Sequence, residues 1–129
     1  INMSKHENKI KGNLGENIAC EYLEKDGYRI ITRNFNCFYG EIDIIAIKNS
    51  ELIFIEVKTR CQNEYGQPIE AINFEKLKHL YNSASYFMHK QHLSNVNVRF
   101  DAIEVVVFGS HDYKIKHTQN IITENPNMR

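Results

Sequence analysis

The sequence predicts one α/β domain in which a mixed β-sheet is flanked by helices. A helix-periodic segment comes first, three strand-like apolar runs follow it, and a second helix-periodic segment precedes a last apolar run. This gives the order α-β-β-β-α-β over residues 12–118. A chain of 129 residues is long enough for one such domain and too short for two ordinary ones. The polar ends, residues 1–11 and 119–129, are expected to be flexible tails.

The first helix is predicted to run from about Asn13 to Asp26. Its apolar residues recur at helical spacing, and Gly27 suits a left-handed cap after the last turn. At its start, Asn13 and Glu16 have the spacing of a capping box, in which each side chain accepts a bond from the other's main-chain amide. Gly15 favours a close approach of this helix, or of a phosphate, to the backbone.

Three strands follow, and the second and third of them form a hairpin. YRIITRNF is typical of a strand, and GEIDIIAIK and ELIFIEVKTR flank a turn at Asn49-Ser50. Short connections make these three strands an antiparallel meander. Both faces of the hairpin are largely apolar, so it is expected to lie centrally in the sheet and to be covered on both sides.

A second helix is predicted to begin near Asn73, after the loop CQNEYGQP, and it carries a wide apolar stripe. VRFDAIEVVVF is the predicted fourth strand, and HDYKIKHT is a short edge strand. The connection through the helix is long enough to bring the fourth strand in parallel to the third, as a right-handed crossover. The predicted sheet is therefore mixed.

Composition indicates a cytoplasmic protein without a membrane span. No apolar stretch reaches the roughly 18 residues that a transmembrane helix needs, and the N-terminus lacks the apolar centre of a signal peptide. Cys20, Cys37 and Cys61 have neither disulfide-framework nor zinc-site spacing, so we expect reduced thiols. The formal net charge is zero, which means that a nucleic-acid-binding surface would have to be a local basic face.

Four charged side chains interrupt the apolar hairpin. Because side chains on a strand alternate faces, Glu41 and Asp43 share one face of their strand, and Glu56 and Lys58 share one face of the next. A turn at residues 49–50 pairs position i with a position near 99 minus i, which sets Asp43 opposite Glu56. Two carboxylates in that position repel each other unless a cation lies between them.

This pattern favours a metal-dependent hydrolytic site. A hard divalent cation, Mg²⁺ or Mn²⁺, takes oxygen ligands of this kind. Lys58 would hold and polarise a water beside the metal, an arrangement that suits hydrolysis of a phosphodiester, and Glu41 would support the site. The alternative is a structural Asp/Glu–Lys ion pair near the strand ends, in which case apolar residues in place of Asp43, Glu56 and Lys58 would be tolerated.

The segments around these charges resemble a known group of nucleases. Asp43, twelve intervening residues and Glu56-Val57-Lys58 have the spacing of the PD-(D/E)xK pattern, with Ile42 in place of its proline. The segments GNLGENIACEYLEKDGYRIITRNF, GEIDIIA, FIEVKTR, GQPIEAI and VRFDAIEV are similar to a widespread bacterial family of predicted endonucleases. That family is distantly related to the archaeal Holliday junction resolvases, and the resemblance implies a restriction-endonuclease-like αβββαβ core.

The resemblance also implies a role for each residue of the site. Asp43 and Glu56 would bind the metal together with the main-chain carbonyl of Val57, and Lys58 would position the attacking water. Glu16 matches a glutamate on the first helix that completes the site in the resolvase relatives, and this role competes with its capping role.

Two basic residues are candidate contacts to nucleic acid. Arg60 follows the motif where the strand leaves the sheet, and Lys76 faces away from the apolar stripe of the second helix. Either side chain can meet a phosphate. For both of them the alternative is an ordinary solvated position on the surface.

The predicted function is that of a Mg²⁺- or Mn²⁺-dependent endonuclease that hydrolyses phosphodiester bonds of DNA, with branched or otherwise structured DNA as the expected partner. A homodimer with two sites would match the two-fold symmetry of a four-way junction. The alternative is a non-catalytic nucleic-acid-binding module on a nuclease scaffold, which would bind with strong salt dependence and without turnover.

Overall fold

Each predicted helix and strand is present in the computed structural model of the chain. The structure describes residues 5–61, 73–109 and 111–128, with side chains from residue 9 onwards. The predicted loop CQNEYGQP beyond its first residue, and the segment GQPIEAI, lie outside the described residues. The described elements are α1 (Lys5–Lys25), β1 (Arg29–Cys37), β2 (Gly40–Lys48), β3 (Glu51–Cys61), α2 (Phe74–Lys90), β4 (Asn97–Phe108), β5 (Asp112–Thr118) and a short 3₁₀ helix (Pro126–Met128).

The five strands form one sheet in the order β1-β2-β3-β4-β5. Neighbouring strands are antiparallel, with the exception of β3 and β4, which are parallel and are joined through α2. This confirms the mixed α/β sheet with flanking helices, as in a restriction-endonuclease-like core. No helix in the described ranges is both long enough and apolar enough to cross a membrane.

The turn between β2 and β3 fixes the register of the hairpin. Asn49 and Ser50 both have positive φ, 51° and 67°, as a two-residue hairpin turn of the primed type requires. The strands pair from Lys48 opposite Glu51 to Ile44 opposite Ile55, and in every pair the two residue numbers add up to the predicted 99. The register that was read from the turn is therefore confirmed along this paired stretch.

The core has two parts, one on each face of the sheet. On one face α1 buries Ala19, Cys20 and Leu23 against the middle strands. On the other face α2 buries Leu80, Ala84 and Phe87. The strand residues of the α1 side are Ile44, Ala46, Ile53, Ile55, Ile103 and Val105, and those of the α2 side are Ile42, Ile45, Leu52, Phe54 and Phe100. The β2–β3 hairpin is thus covered on both faces, as its two apolar faces predict.

Two predicted boundaries differ from the structure. Helix α1 begins at Lys5, so Asn13 lies within the helix and the capping box that we predicted for Asn13 and Glu16 is wrong. Capping residues belong at a helix start, where the first amides lack partners. At the other end, the Ile121 amide donates to the Phe100 carbonyl at 2.8 Å, which extends the packed part of the chain beyond residue 118.

A buried polar network lies between α1, β4 and β5, away from the charged end of the hairpin. Asp101 is fully buried, accepts from Arg99 Nη2 at 2.8 Å and lies 2.7 Å from His117 Nε2. The Tyr22 hydroxyl lies 3.0 Å from His117 Nδ1, and Arg99 Nη2 donates to the Tyr28 hydroxyl at 2.5 Å. The hydrogen bonds from His117 and Arg99 outweigh burial and hold the pKa of Asp101 below its ordinary value. This network ties the edge of the sheet to α1.

Candidate functional site

The candidate site lies where β2 and β3 separate. Their pairing stops at Ile44 opposite Ile55, after which β2 continues beside β1 and β3 continues beside β4. At this fork the Val57 amide has no β2 carbonyl opposite it and donates instead to Asp43 Oδ2 at 2.7 Å. Asp43 therefore serves as the acceptor that the ladder lacks.

This geometry corrects the prediction that Asp43 and Glu56 form a cross-strand pair. The register would have placed them opposite each other, but the ladder ends one residue before that pair. The strict alternation of faces also fails here, because Ile42 packs on the α2 side whereas Ile44 packs on the α1 side. Pairing and alternation are both properties of a continuous ladder, and neither extends past the fork.

An open cavity of about 270 Å³ lies between the fork and the first turns of α2. Glu41, Asp43 and Glu56 contribute carboxylates to it, and Lys76 and His79 contribute basic side chains from the helix. Gly40 and Leu80 complete the lining. Three of the four charged positions that we singled out in the hairpin thus meet in one cavity, together with three residues of α2.

Among the residues that line the cavity, Asp43 has a raised pKa. Burial raises the pKa of its carboxyl group to about 7, and the negative charge of Glu56 adds to this effect. Glu16 and Glu41 raise it further, while the bond from the Val57 amide works in the opposite direction. Nearby negative charges make the ionised form of a carboxyl group unfavourable in the folded state, unless a cation binds beside it.

Glu56 already has one cationic neighbour. Lys76 Nζ lies 2.7 Å from Glu56 Oε1, although half of the Lys76 side chain is exposed. The position of Lys76 is fixed locally, since Asn73 caps α2 and its side chain accepts from the Lys76 amide at 2.8 Å. The prediction that Lys76 faces away from the apolar stripe is wrong, because Lys76 lies one helical turn before the buried Leu80 and lines the cavity with it. Its contact with Glu56 was not predicted.

Glu16 approaches the same carboxylates from α1, on the opposite face of the sheet. The helix comes very close to β3 here, because a Cβ atom at Gly15 would lie 1.8 Å from Thr59 Oγ1. The Glu16 side chain is 13% exposed, and Arg33 Nη2 is 3.6 Å from its Oε1. That oxygen is buried and has no hydrogen-bond partner among the described residues. Burial also raises the pKa of the Glu16 carboxyl group. Glu16 is therefore a buried acidic group beside the fork, and its Oε1 atom can still accept a hydrogen bond or bind a cation.

The remaining predicted residues lie on β3. Lys58 lies two residues after Glu56 and therefore on the same face of the strand. Its side chain is exposed and does not line the cavity. The roles of Lys58 and of the Val57 carbonyl stay predictions. Arg60 differs from its prediction as a surface residue: it is 6% exposed, and its Nε donates to Glu104 Oε2 at 3.0 Å. Because that bond directs its guanidinium into the sheet, we drop Arg60 as a nucleic-acid contact.

The donor set at the fork fits a hard divalent cation. Asp43 and Glu56 offer carboxylate oxygens, which Mg²⁺ and Mn²⁺ prefer, and the repulsion between them is what a cation would relieve. Mg²⁺ is typically held by one or two carboxylates and keeps several waters. Within the part of the chain that the structure describes, no group of three or more His, Cys, Asp or Glu side chains is placed to hold a metal. Main-chain oxygen and water would therefore have to complete the ligand set.

Comparison with known proteins shows the family of this chain. The family model described as "Uncharacterised protein family UPF0102" matches residues 15–105. The chain belongs to the UPF0102 family. The match extends from the second half of α1 into β4, so it includes Glu16, the fork and the first turns of α2.

Named UPF0102 proteins align with most of this chain. A UPF0102 protein of Clostridium acetobutylicum is 45% identical over 114 residues, which are 88% of this chain and 93% of the relative. One of Clostridium beijerinckii is 44% identical over 119 residues, 92% of this chain and 97% of the relative. One of Caldicellulosiruptor saccharolyticus is 48% identical over 94 residues, 73% and 80% of the two chains.

Proposed function

We propose that this UPF0102 protein is a metal-dependent endonuclease of the PD-(D/E)xK superfamily that hydrolyses phosphodiester bonds of DNA, including branched or structured DNA. The observation that carries the proposal is the pair Asp43 and Glu56 at the fork of β2 and β3, where burial and mutual repulsion raise the pKa of Asp43 to about 7. Perturbed acidic clusters in a cavity are typical of functional sites. The motif spacing that resembles the nucleases points to the same residues.

In this proposal Asp43 and Glu56 supply the oxygen ligands for Mg²⁺ or Mn²⁺. When bound, such an ion supplies water activation at neutral pH and offsets the negative charge that builds up on the phosphoryl oxygens. The Val57 amide donates to Asp43 Oδ2 at 2.7 Å, which fixes the orientation of this carboxyl group in the cavity. Glu16 adds a buried acidic oxygen from the α1 side of the fork.

The basic residues would act on the substrate side of the cavity. Lys58 is exposed beside Glu56 and would orient the attacking water, as the motif implies. Lys76 and His79 line the cavity opposite the hairpin carboxylates. The positive charge of Lys76 favours entry of a phosphodiester into a cavity that three carboxylates would otherwise make repulsive to anions.

The test is incubation of the purified protein with Mg²⁺ or Mn²⁺ and a panel of plasmid, single-stranded, flap and four-way-junction DNA. We expect cleavage by the natural chain and its loss in Asp43→Asn and Lys58→Ala, each of which should remain folded. Lys78→Ala is the matched control for Lys58→Ala, because it also removes one lysine, and Lys78 packs over the Phe74 ring at 4.8 Å and does not line the cavity. Cleavage that survives both site substitutions would come from a contaminant and would remove the support for this site.

One observation favours the alternative of a non-catalytic nucleic-acid-binding module. The Lys76 ammonium group at 2.7 Å already neutralises Glu56, as it would in a site that needs no metal. The two functions separate in one experiment. A binding module retains DNA with steep salt dependence in Mg²⁺, Mn²⁺ and EDTA alike and cleaves it in none of them, whereas the proposed enzyme cleaves it with either metal.

A further inference from the structure

The turn between β1 and β2 consists of two aromatic residues that point into solvent. Cys37 pairs with Gly40, so Phe38 and Tyr39 are the two central residues of a two-residue hairpin turn. Such turns are normally made of Asn, Asp or Gly. Here the Phe38 side chain is 96% exposed and that of Tyr39 is 44% exposed. A phenylalanine with almost no protein cover in an ordered turn adds nothing to the core.

The two rings are the outer end of a supported aromatic row. The Phe38 ring contacts that of Tyr39 edge to face, with centroids 5.6 Å apart, and Tyr39 lies 6.4 Å from Tyr86 of α2. Tyr86 in turn lies 6.3 Å from Phe35, whose ring meets the buried Phe87 at 5.2 Å. The row runs from the α2-side core to solvent and connects the exposed Phe38 ring, through Tyr39 and Tyr86, to that core.

This ring is placed beside the carboxylate cavity. Gly40 and Glu41, the residues that follow the turn, both line the cavity. Phe38 is two residues from Gly40, so their Cα atoms lie at most about 7 Å apart. That distance equals about two base steps of a stacked nucleic-acid strand, which are about 3.4 Å each. A nucleotide next to a phosphate in the cavity would therefore reach the ring.

We propose that Phe38, supported by Tyr39, is a stacking platform for an unpaired nucleobase beside the bound phosphodiester. The inference rests on the proposed function, since it requires a nucleic-acid phosphodiester in the cavity. Every base has a π-face that can stack on an aromatic ring whatever the sequence. In a paired duplex those faces are covered by neighbouring base pairs. The platform thus selects flaps, bulges and branch points over continuous duplex.

A second copy of the chain is a weaker candidate for this surface. A stable protein interface buries about 800 Å² on each partner, whereas the exposed surface here consists of one full ring and part of another. A single nucleobase matches one exposed ring in size. The exposed row also ends next to an acid-lined cavity, and a second neutral chain would cover that cavity without using its charges.

The chain contains no tryptophan, which makes a direct test possible. The variant Phe38→Trp carries a single indole at the platform, and its fluorescence reports stacking without any need for activity. We expect quenching, in EDTA, by a duplex with one unpaired base, and little quenching by the same duplex with an abasic nucleotide in that position. Equal quenching by both duplexes would overturn the inference, as would a fluorescence change that depends on protein concentration alone.

Affinity measurements complete the test. Phe38→Ala should weaken binding to the unpaired-base duplex on the order of tenfold and leave binding to the fully paired duplex unchanged. The matched control is Tyr113→Ala, which removes a 45% exposed aromatic from β5 at the other edge of the sheet and should change neither affinity. Cleavage that does not depend on Phe38 would refute the platform alone. Base-dependent quenching without any cleavage would refute the nuclease alone.

Discussion

The substitution Asp43→Asn should stabilise the metal-free protein at alkaline pH. Asparagine keeps an oxygen that can accept from the Val57 amide, but it carries no charge into the cavity. The carboxyl group of Asp43 has a pKa of about 7 in the folded chain, against an ordinary value of 3.8. This difference corresponds to a cost of ionisation in the fold of about 4 kcal/mol at pH 8. Removing the charge should recover that energy.

The direction of the pH dependence follows from the raised pKa. A folded state that holds its proton more tightly than the unfolded chain is favoured at low pH and loses that advantage as the pH rises from about 4 through 7. The stability difference between Asp43→Asn and the natural chain should therefore be largest at pH 8. It should be smaller by roughly 2.5 kcal/mol at pH 5, where the folded carboxyl group is mostly protonated.

The assay is urea unfolding, followed by circular dichroism, at pH 5 and pH 8 in EDTA. Asp101 loses stabilising contacts on the acid side, but it is present in both proteins, so its contribution cancels in the difference. Asp26→Asn is the matched control, because Asp26 is an exposed partner of Lys48 at 3.3 Å and should change stability by less than about 1 kcal/mol at either pH. An equal effect of Asp43→Asn at both pH values would refute the reasoning.

Three further predictions address the surroundings of the site. Lys76→Ala should bind Mn²⁺ about two- to fivefold more tightly in titration calorimetry, because the lysine competes for Glu56; weaker binding would contradict this competition. Asp101→Ala should cost about 3–5 kcal/mol in urea unfolding, because it leaves buried charged partners unpaired; a loss below about 1 kcal/mol would contradict it. Gly15→Ala should cost about 1–3 kcal/mol, because its Cβ would lie 1.8 Å from Thr59 Oγ1; if the clash is the cause, Thr59→Ala in the same chain should restore part of the loss.

Much of the fold was accessible from the sequence because it depends on local rules. The order of elements follows from apolar periodicity, and the β2–β3 register follows from a turn whose two residues tolerate positive φ. The start of α2 near Asn73 was likewise predicted, and the structure shows that the Asn73 side chain caps the helix. By contrast, the start of α1 was placed at Asn13 because its first turns carry no apolar stripe, and the helix in fact begins at Lys5.

The site was predicted less completely, because it lies where those local rules stop. Ladder arithmetic brought Asp43 and Glu56 together, but it could not show that the ladder ends at Ile44, nor that Asp43 takes over the bond to Val57. The contact of Lys76 with Glu56 depends on how α2 crosses the sheet. A lysine in the first turn of the helix after the motif strand was the only signal available.

The contact of Arg60 likewise could not be predicted from the sequence. As a cation after the motif, it was open to a role at the surface, yet its partner Glu104 is 44 residues away in sequence. The pairing follows from the parallel register of β3 and β4, which sets Thr59 opposite Val105 and Arg60 opposite Val106. Such a register depends on a crossover rather than on a turn, so no short segment encodes it.

The negative charge of Asp43 is itself an argument for a cation at the fork. The structural task at this position is to accept a bond from the Val57 amide, and a neutral asparagine could perform it. With aspartate the fold carries an ionisation cost of about 4 kcal/mol above pH 7, against a total stability of typically 5–15 kcal/mol. The fold does not need this charge and is weakened by it. A cation bound at the fork would explain the charge, because the charge would then add to the free energy of unfolding instead of lowering it. If so, Mn²⁺ should stabilise the natural chain at pH 8 and leave Asp43→Asn unchanged, and equal stabilisation of both would show that the metal binds elsewhere.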